Sequence, residues 1–366
     1  MPLSGDLGTV GAPIADAATL PVMQVTEETE LEVDVRVEDT ETDPSVGVSQ
    51  AQELVDAGYP AITGAAASHI TIPAAESVFL PNDVVAITPS STSPDITPMD
   101  GDSLLRTAPS DAWQGDAIAA VAREHLGAET VTSMFLDDDY GHGISEPFVE
   151  GIEDRGGDLL EAVGVLPEQH SYSADLETAL ADDPDVLLIV GFPPTGEQLL
   201  RDYYADFDTG VDIVVTDGLI TDDLPRSVDA PLTNVTGVAP GARGPGQEAF
   251  TQLYQSEYGI KPGIFTAHAY DATAVLVLAS LAADTLEGPA ISEQIRDVAN
   301  PGGTTITPET FADGAELAAA GESVQYQGAS SRVEFDENGD VTSTTYDIYE
   351  VDAGGFFVTE TLEYEP

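Results

Sequence analysis

Cationic side chains are almost missing from this chain. Nine arginines and a single lysine, Lys261, face 67 aspartates and glutamates over 366 residues, for a formal charge of −57. Nucleic acid is excluded as a partner, because phosphate contacts need Lys and Arg. Strongly anionic ligands lack a counter-charge for the same reason. In dilute buffer such like charge pushes a compact chain apart. The screening length falls from about 10 Å at 0.1 M salt to about 3 Å at 1 M. The composition therefore reads as halophilic, and folding should depend on salt. Circular dichroism against NaCl should show a cooperative gain of structure; full structure in 10 mM buffer without divalent ions would refute this.

Cysteine is absent, which removes disulfides, thiolate metal sites and a Cys nucleophile. No run of about 20 apolar residues is present to span a membrane. No signal peptide opens the chain. The opening Met1-Pro2-Leu3-Ser4-Gly5-Asp6 reads as the loop after a strand. G-x-S-x-G, H-E-x-x-H, Walker and Gly-rich dinucleotide signatures are all missing. The five histidines, His69, His125, His142, His170 and His268, show no ligand spacing. Asp336 to Asp340 looks like a calcium loop only in part, its Gly falling fourth instead of sixth. No catalytic residue, metal ligand or cofactor is expected, and the chain reads as a binding protein, not an enzyme.

What remains is the material of a folded α/β protein. Hydrophobic residues make up 42%, and the acids are dispersed. The length exceeds what one core usually serves, so two domains are expected. Strand-like and helix-like segments alternate, which argues for βαβ units and parallel sheets. Predicted strands are Leu31 to Val37, Ala61 to Thr63, Val84 to Thr88, Val131 to Leu136, Leu159 to Val165, Val186 to Val190 and Asp212 to Thr216. Predicted helices include a segment from the N-cap Ser110 to Leu126, Ile144 to Arg155, Thr195 to Ala205, Gln247 to Tyr258 and Thr266 to Ala283. Near the end the period becomes two. Arg332 to Phe335 and Val341 to Glu350, joined at Asn338-Gly339, predict a β-hairpin.

Several loops at strand ends are candidate sites, each with a plainer alternative. Thr88-Pro89-Ser90-Ser91-Thr92-Ser93 is either a carboxylate-binding loop of neutral donors or a surface turn. The small residues from Gly64 to Ser68 let a ligand approach backbone, or pack a helix on a strand. Asp137 to Tyr140 is an acidic loop whose Tyr140 could stack on a ligand. Asp217 could meet a ligand ammonium, or serve as a turn acid.

Taken in order, "SGDLGTVG", "VEDTETDP", "ITPSSTSPDIT", "LLRTAPSDAWQGDAIA", "DDDYGHG", "VGFPPTGEQLL", "TDGL" and "AHAYDA" resemble the type I periplasmic-binding-protein family. The similar branch is that of the leucine/isoleucine/valine-binding proteins of ABC importers. The resemblance runs from about Ser4 to about Val351. It implies two Rossmann-like α/β lobes joined by three hinge crossovers. Lobe 1 is expected at 1–108 and 240–325, and lobe 2 at 109–239 and 326–366. It places the ligand carboxylate at Ser68, Ser90, Ser91 and Thr92, and the α-ammonium at Asp217. Tyr140 covers the ligand, and Phe192 takes a position where the family often has a hydroxyl-bearing aromatic.

The resemblance also implies an ABC permease as partner, hinge closure, and a place on the extracellular face of the membrane. Upstream DNA is expected to encode the family's first strand, a signal sequence and a lipid-anchored cysteine. A zwitterionic amino acid suits a pocket of hydroxyls and one acid without Arg or Lys. Amides, urea-like solutes and small aromatics stay open as ligands. A ligand-sensing regulator on the same fold and an enzyme without a recognisable motif stay open as roles.

Overall fold

The computed structural model describes residues 1–207, 210–352 and 355–364. The chain divides into two compact units, Met1–Pro109 with Ala242–Thr344, and Ser110–Gly241 with Thr345–Tyr364. Both are α/β.

The second unit is built on a seven-stranded sheet. Its order is Gly355–Tyr364, Thr344–Asp352, Val235–Pro240, Asp212–Thr216, Val186–Val190, Thr130–Leu136 and Asp158–Val165. The last five run parallel, and Thr344–Asp352 pairs antiparallel with Val235–Pro240. Val186–Val190 is an unbroken apolar run, Val-Leu-Leu-Ile-Val, with every side chain fully buried. That is the pattern of a central parallel strand covered on both faces. Between strands the chain returns through helices, among them Asp139–Asp154 and Pro193–Asp202. Asp138 caps the former by accepting from the N–H groups of Tyr140 and Gly141. Gly141 is required there, since a Cβ would lie 1.8 Å from the Leu136 carbonyl oxygen.

The first unit holds a three-stranded parallel sheet, Ala61–Thr63, Val85–Thr88 and Leu104–Arg106, in that order. Helix Thr266–Ala282 packs against it and against helix Gly8–Glu28. Residues 266–279 are all buried, as expected of a helix apolar on every side. Its one acid, Asp271, accepts from Tyr326 Oη at 2.6 Å, the N–H groups of Ala329 and Ser330, and Ser330 Oγ. Burial still pushes this carboxyl up to about 6, against the pull of those bonds.

Three sequence expectations differ from what is found. Leu31 to Val37 alternates like a strand, yet no ladder among the described residues includes it. Asn338-Gly339 turns the chain, but Phe335 and Val341 make only one isolated bridge. The last two strands of the chain, Thr344–Asp352 and Gly355–Tyr364, are instead neighbours. The turn is held elsewhere, by the Arg106 N–H donating to the Gly339 carbonyl. Residues 326–344, expected with the second lobe, cluster with the first. Asp271 fixes their start and an Arg106–Asp340 pair fixes their end. Helix Gly8–Glu28, which contains Pro13 and Pro21, was not expected from the sequence.

The few arginines are used mainly inside each unit. Arg123 donates to the carbonyls of Ala128 and Arg155, Arg201 to Ser227, and Arg296 to Gly101 and Asp336.

Candidate functional site

In the first unit two loops leave the C-terminal ends of adjacent parallel strands, where open α/β sheets present ligand sites. They are the segment 64–67 after Ala61–Thr63 and the segment 89–93 after Val85–Thr88. Ser68, Ser90, Ser91 and Thr92 are brought together here. Ser68 Oγ accepts from the N–H groups of Thr92 and Ser93, both at 3.2 Å. Ser90 Oγ donates to the Ala66 carbonyl at 2.9 Å. Ser91 Oγ lies 2.7 Å from Thr71 Oγ1 and also reaches the Ala65 carbonyl.

A hydroxyl has one proton to give. Ser90 gives its proton to backbone, and Ser91 is engaged by Thr71 and Ala65, so both serve to lace the two loops together. Ser68 is engaged as an acceptor. Thr92 Oγ1 is buried without a partner. An unsatisfied buried hydroxyl costs about 1–3 kcal/mol and calls for an explanation.

Arg106 holds the second loop from behind. It is fully buried, and Nη1 donates to the carbonyls of Thr92 at 2.9 Å and Ser93 at 2.8 Å. Nε meets Asp340 Oδ1 at 2.5 Å, and Nη2 donates to Thr97 Oγ1.

In the second unit Tyr140, Phe192 and Asp217 come together. Asp217 starts a turn after Asp212–Thr216, and is 7% exposed. Its carboxylate accepts from Gln114 Nε2 at 2.7 Å and Tyr140 Oη at 3.2 Å. Tyr140 Oη also lies 2.8 Å from Thr216 Oγ1. The Tyr140 and Phe192 rings stack at 5.3 Å, tilted by 9°. Gly218 permits this crowding, because a Cβ would sit 2.4 Å from the Gly191 carbonyl oxygen.

These donors to Asp217 are neutral. Burial raises its carboxyl to about 6, with the bonds from Gln114 and Tyr140 opposing. Burial, then the charges of Asp217 and Asp111, push the Tyr140 hydroxyl well above its usual range. Two carboxylates thus act on one buried phenol.

Gln114 and Asp111 are missing from the sequence-based set. Both are fully buried, three apart on helix Asp111–Ala120, whose N-cap is Ser110. Gln114 Nε2 also reaches the Val238 carbonyl at 3.2 Å, while Gln114 Oε1 has no partner. A Gln three residues after an acid at a helix start was the available signal, since such pairs share a face.

Comparison with known proteins places the chain in a family. Residues 24–354 match the receptor family ligand-binding region. A Leu/Ile/Val-binding protein, BraC3, of Rhizobium johnstonii is 24% identical over 98% of this chain and 92% of its own. BasB, the substrate-binding protein of a chemotactic signal transduction system in Halobacterium salinarum, is 25% identical over 81% of this chain and 71% of its own. Among solved structures, the leucine-binding protein LivK of Thermotoga maritima aligns with a TM-score of 0.82 at 24% identity, covering 99% of this chain and 96% of its own. The fold is also that of a Rhodopseudomonas palustris solute-binding protein in complex with benzoate, with a TM-score of 0.76 at 14% identity, covering 100% of this chain and 96% of its own. The chain belongs to the receptor family ligand-binding region, and within it to the type I periplasmic binding proteins of the Leu/Ile/Val-binding type, a family of solute-binding proteins.

Proposed function

We propose that this protein binds a small zwitterion, an aliphatic amino acid, and hands it to an ABC permease on the outer side of the membrane. The observation that carries this reading is Asp217, a buried carboxylate whose donors are neutral and which lies beside a stacked aromatic pair. An ammonium group would supply the missing counter-charge. The proposed partners of the ligand carboxylate are the hydroxyls of Ser68 and Thr92, with Ser90 and Ser91 bracing the loop. A zwitterion carries no net charge for the −57 field to repel. A benzoate-like ligand has no group for Asp217.

A thermal-shift screen of amino acids, amides and benzoates in molar salt tests this. A ligand at 100 times its Kd adds about 2.7 kcal/mol to stability. Stabilisation by benzoates but by no amino acid would reject the reading.

The pH dependence has a definite sign. An Asp217 that titrates near 6 in the free protein must lose its proton to pair with an ammonium. Affinity should be level above about pH 7 and fall by up to about tenfold per unit below 6. The stability of the free protein moves the other way. Asp217 holds a proton in the fold that the unfolded chain, with its value near 3.8, has released. Its contribution to folding is therefore fully present below that value and lost as pH rises through 6. Titration calorimetry at about pH 5 and about pH 7.5 measures the first effect.

A second role is favoured by BasB, which belongs to a chemotactic system. There the ligand-bound protein would address a signal transducer instead of a permease. Affinity capture with the ligand-loaded protein separates the two by which membrane partner is retained.

A further inference from the structure

Gln114 is fully buried near the start of helix Asp111–Ala120, and its place is fixed from two sides. Gly115, the next residue, lets this helix lie close against Asp139–Asp154, since a Cβ there would sit 2.7 Å from the Phe148 nitrogen. Gln114 Nε2 donates to Asp217 Oδ1 at 2.7 Å and to the Val238 carbonyl at 3.2 Å. An ionised carboxylate and a carbonyl only accept, so the amide has one orientation: flipped, it would set oxygen against oxygen twice. Gln114 Oε1 is then left buried with no donor among the described residues. A buried carbonyl in that state calls for an explanation.

The neighbouring carboxylate cannot satisfy an ammonium alone. A carboxylate offers about four lone-pair sites, and at Asp217 the bonds from Gln114 and Tyr140 already fill two of them. At most about two remain, whereas a primary alkylammonium brings three N–H donors. An ammonium at Asp217 thus has a donor to spare where Gln114 has an acceptor to spare. Their separation allows a bond. Oxygen and nitrogen of an amide lie about 2.3 Å apart, so Gln114 Oε1 is no more than about 5 Å from Asp217 Oδ1. An ammonium nitrogen about 2.8 Å from each oxygen spans that gap.

Granted an amino-acid ligand at Asp217, we propose that Gln114 Oε1 accepts the remaining ammonium N–H, so that the site selects a primary ammonium over an N-alkylated one. Asp217 supplies the charge, which a secondary or quaternary ammonium would satisfy as well. Gln114 reads the number of N–H donors, which only a primary ammonium meets in full. Its side chain is already tied to Asp217 and Val238 in the free protein, so little side-chain freedom is lost on binding.

The test uses leucine, valine and alanine as probes, each beside its N-methyl derivative, in titration calorimetry at molar salt on the parent and on Gln114→Met. The variant loses Nε2 as well as Oε1, which weakens both members of a pair alike. Crowding by the added methyl acts alike on parent and variant. Both effects cancel in the cycle, which leaves the bond between the extra N–H and Gln114. The preference for the primary amine should fall about tenfold or more in the variant. A fall of less than about threefold overturns the inference while the amino-acid reading stands, and a water that serves Oε1 in place of the ligand would give that result. No binding of any of the three amino acids to the parent overturns the amino-acid reading, and this inference with it. Should Gln114→Met fail to fold, Gln114→Asn draws the carbonyl back by one methylene and should show the same loss of preference.

Discussion

Replacing Asp217 with alanine should abolish most ligand affinity while leaving the second unit folded. The expected loss is about 2–5 kcal/mol, because an ammonium would then be buried without a partner. The scaffold does not need this carboxylate. Gln114 Nε2 keeps the Val238 carbonyl, and Tyr140 Oη keeps Thr216 Oγ1. The free variant should be at least as stable as the parent near pH 7, since a desolvated charge has been removed. Thr92→Ala should cost less affinity, about 1–3 kcal/mol, as one hydrogen bond among several. Titration calorimetry in high salt on both variants, with thermal melts of the free proteins, gives the comparison. Unchanged affinity in Asp217→Ala would mean that the ligand brings no ammonium to this carboxylate.

Arg106→Met should cost about 3–5 kcal/mol of folding stability, the usual result of stranding one half of a buried ion pair. The side chain is fully buried and Asp340 is nearly so. Its loss leaves the Thr92 and Ser93 carbonyls without these donors and Asp340 without its cation. Removing both charges, in Arg106→Met with Asp340→Leu, should recover part of the loss, because no unpaired carboxylate then remains. Denaturant unfolding at fixed salt measures both. A cost under about 1 kcal/mol for Arg106→Met would show that the loop does not lean on it.

The second unit was largely legible in the sequence. Val186–Val190 and Asp212–Thr216 were read with the bounds they have, because a parallel sheet demands unbroken apolar runs between turn residues. The first unit was harder. Pro13 and Pro21 argue locally against helix Gly8–Glu28, which packing on Thr266–Ala282 supports regardless. Leu31 to Val37 has the right period for a strand but no ladder beside it among the described residues, and periodicity cannot report a neighbour. Asn338-Gly339 is a good turn, but its flanks are short and Arg106 claims it. For the candidate residues, type and order were readable from the loops. Which hydroxyls are consumed by backbone was not, since Ser90 and Thr92 look alike until their partners are known. Gln114 stayed hidden because a Gln three residues after an acid marks a shared helix face, and not that its amide will span Asp217 and Val238.

The arginines that donate to main-chain carbonyls act as brackets across turns. Added salt crowds counter-ions around a carboxylate and weakens its pairing, whereas a carbonyl has no net charge to crowd. Arg106, Arg123, Arg201 and Arg296 should therefore keep these cross-links in brine, where ordinary surface pairs fade. Lysine is no substitute: its ammonium is a compact point charge, while a planar fork spans two acceptors at once. Exchanging Arg for Lys here would conserve the charge and lose the bracket.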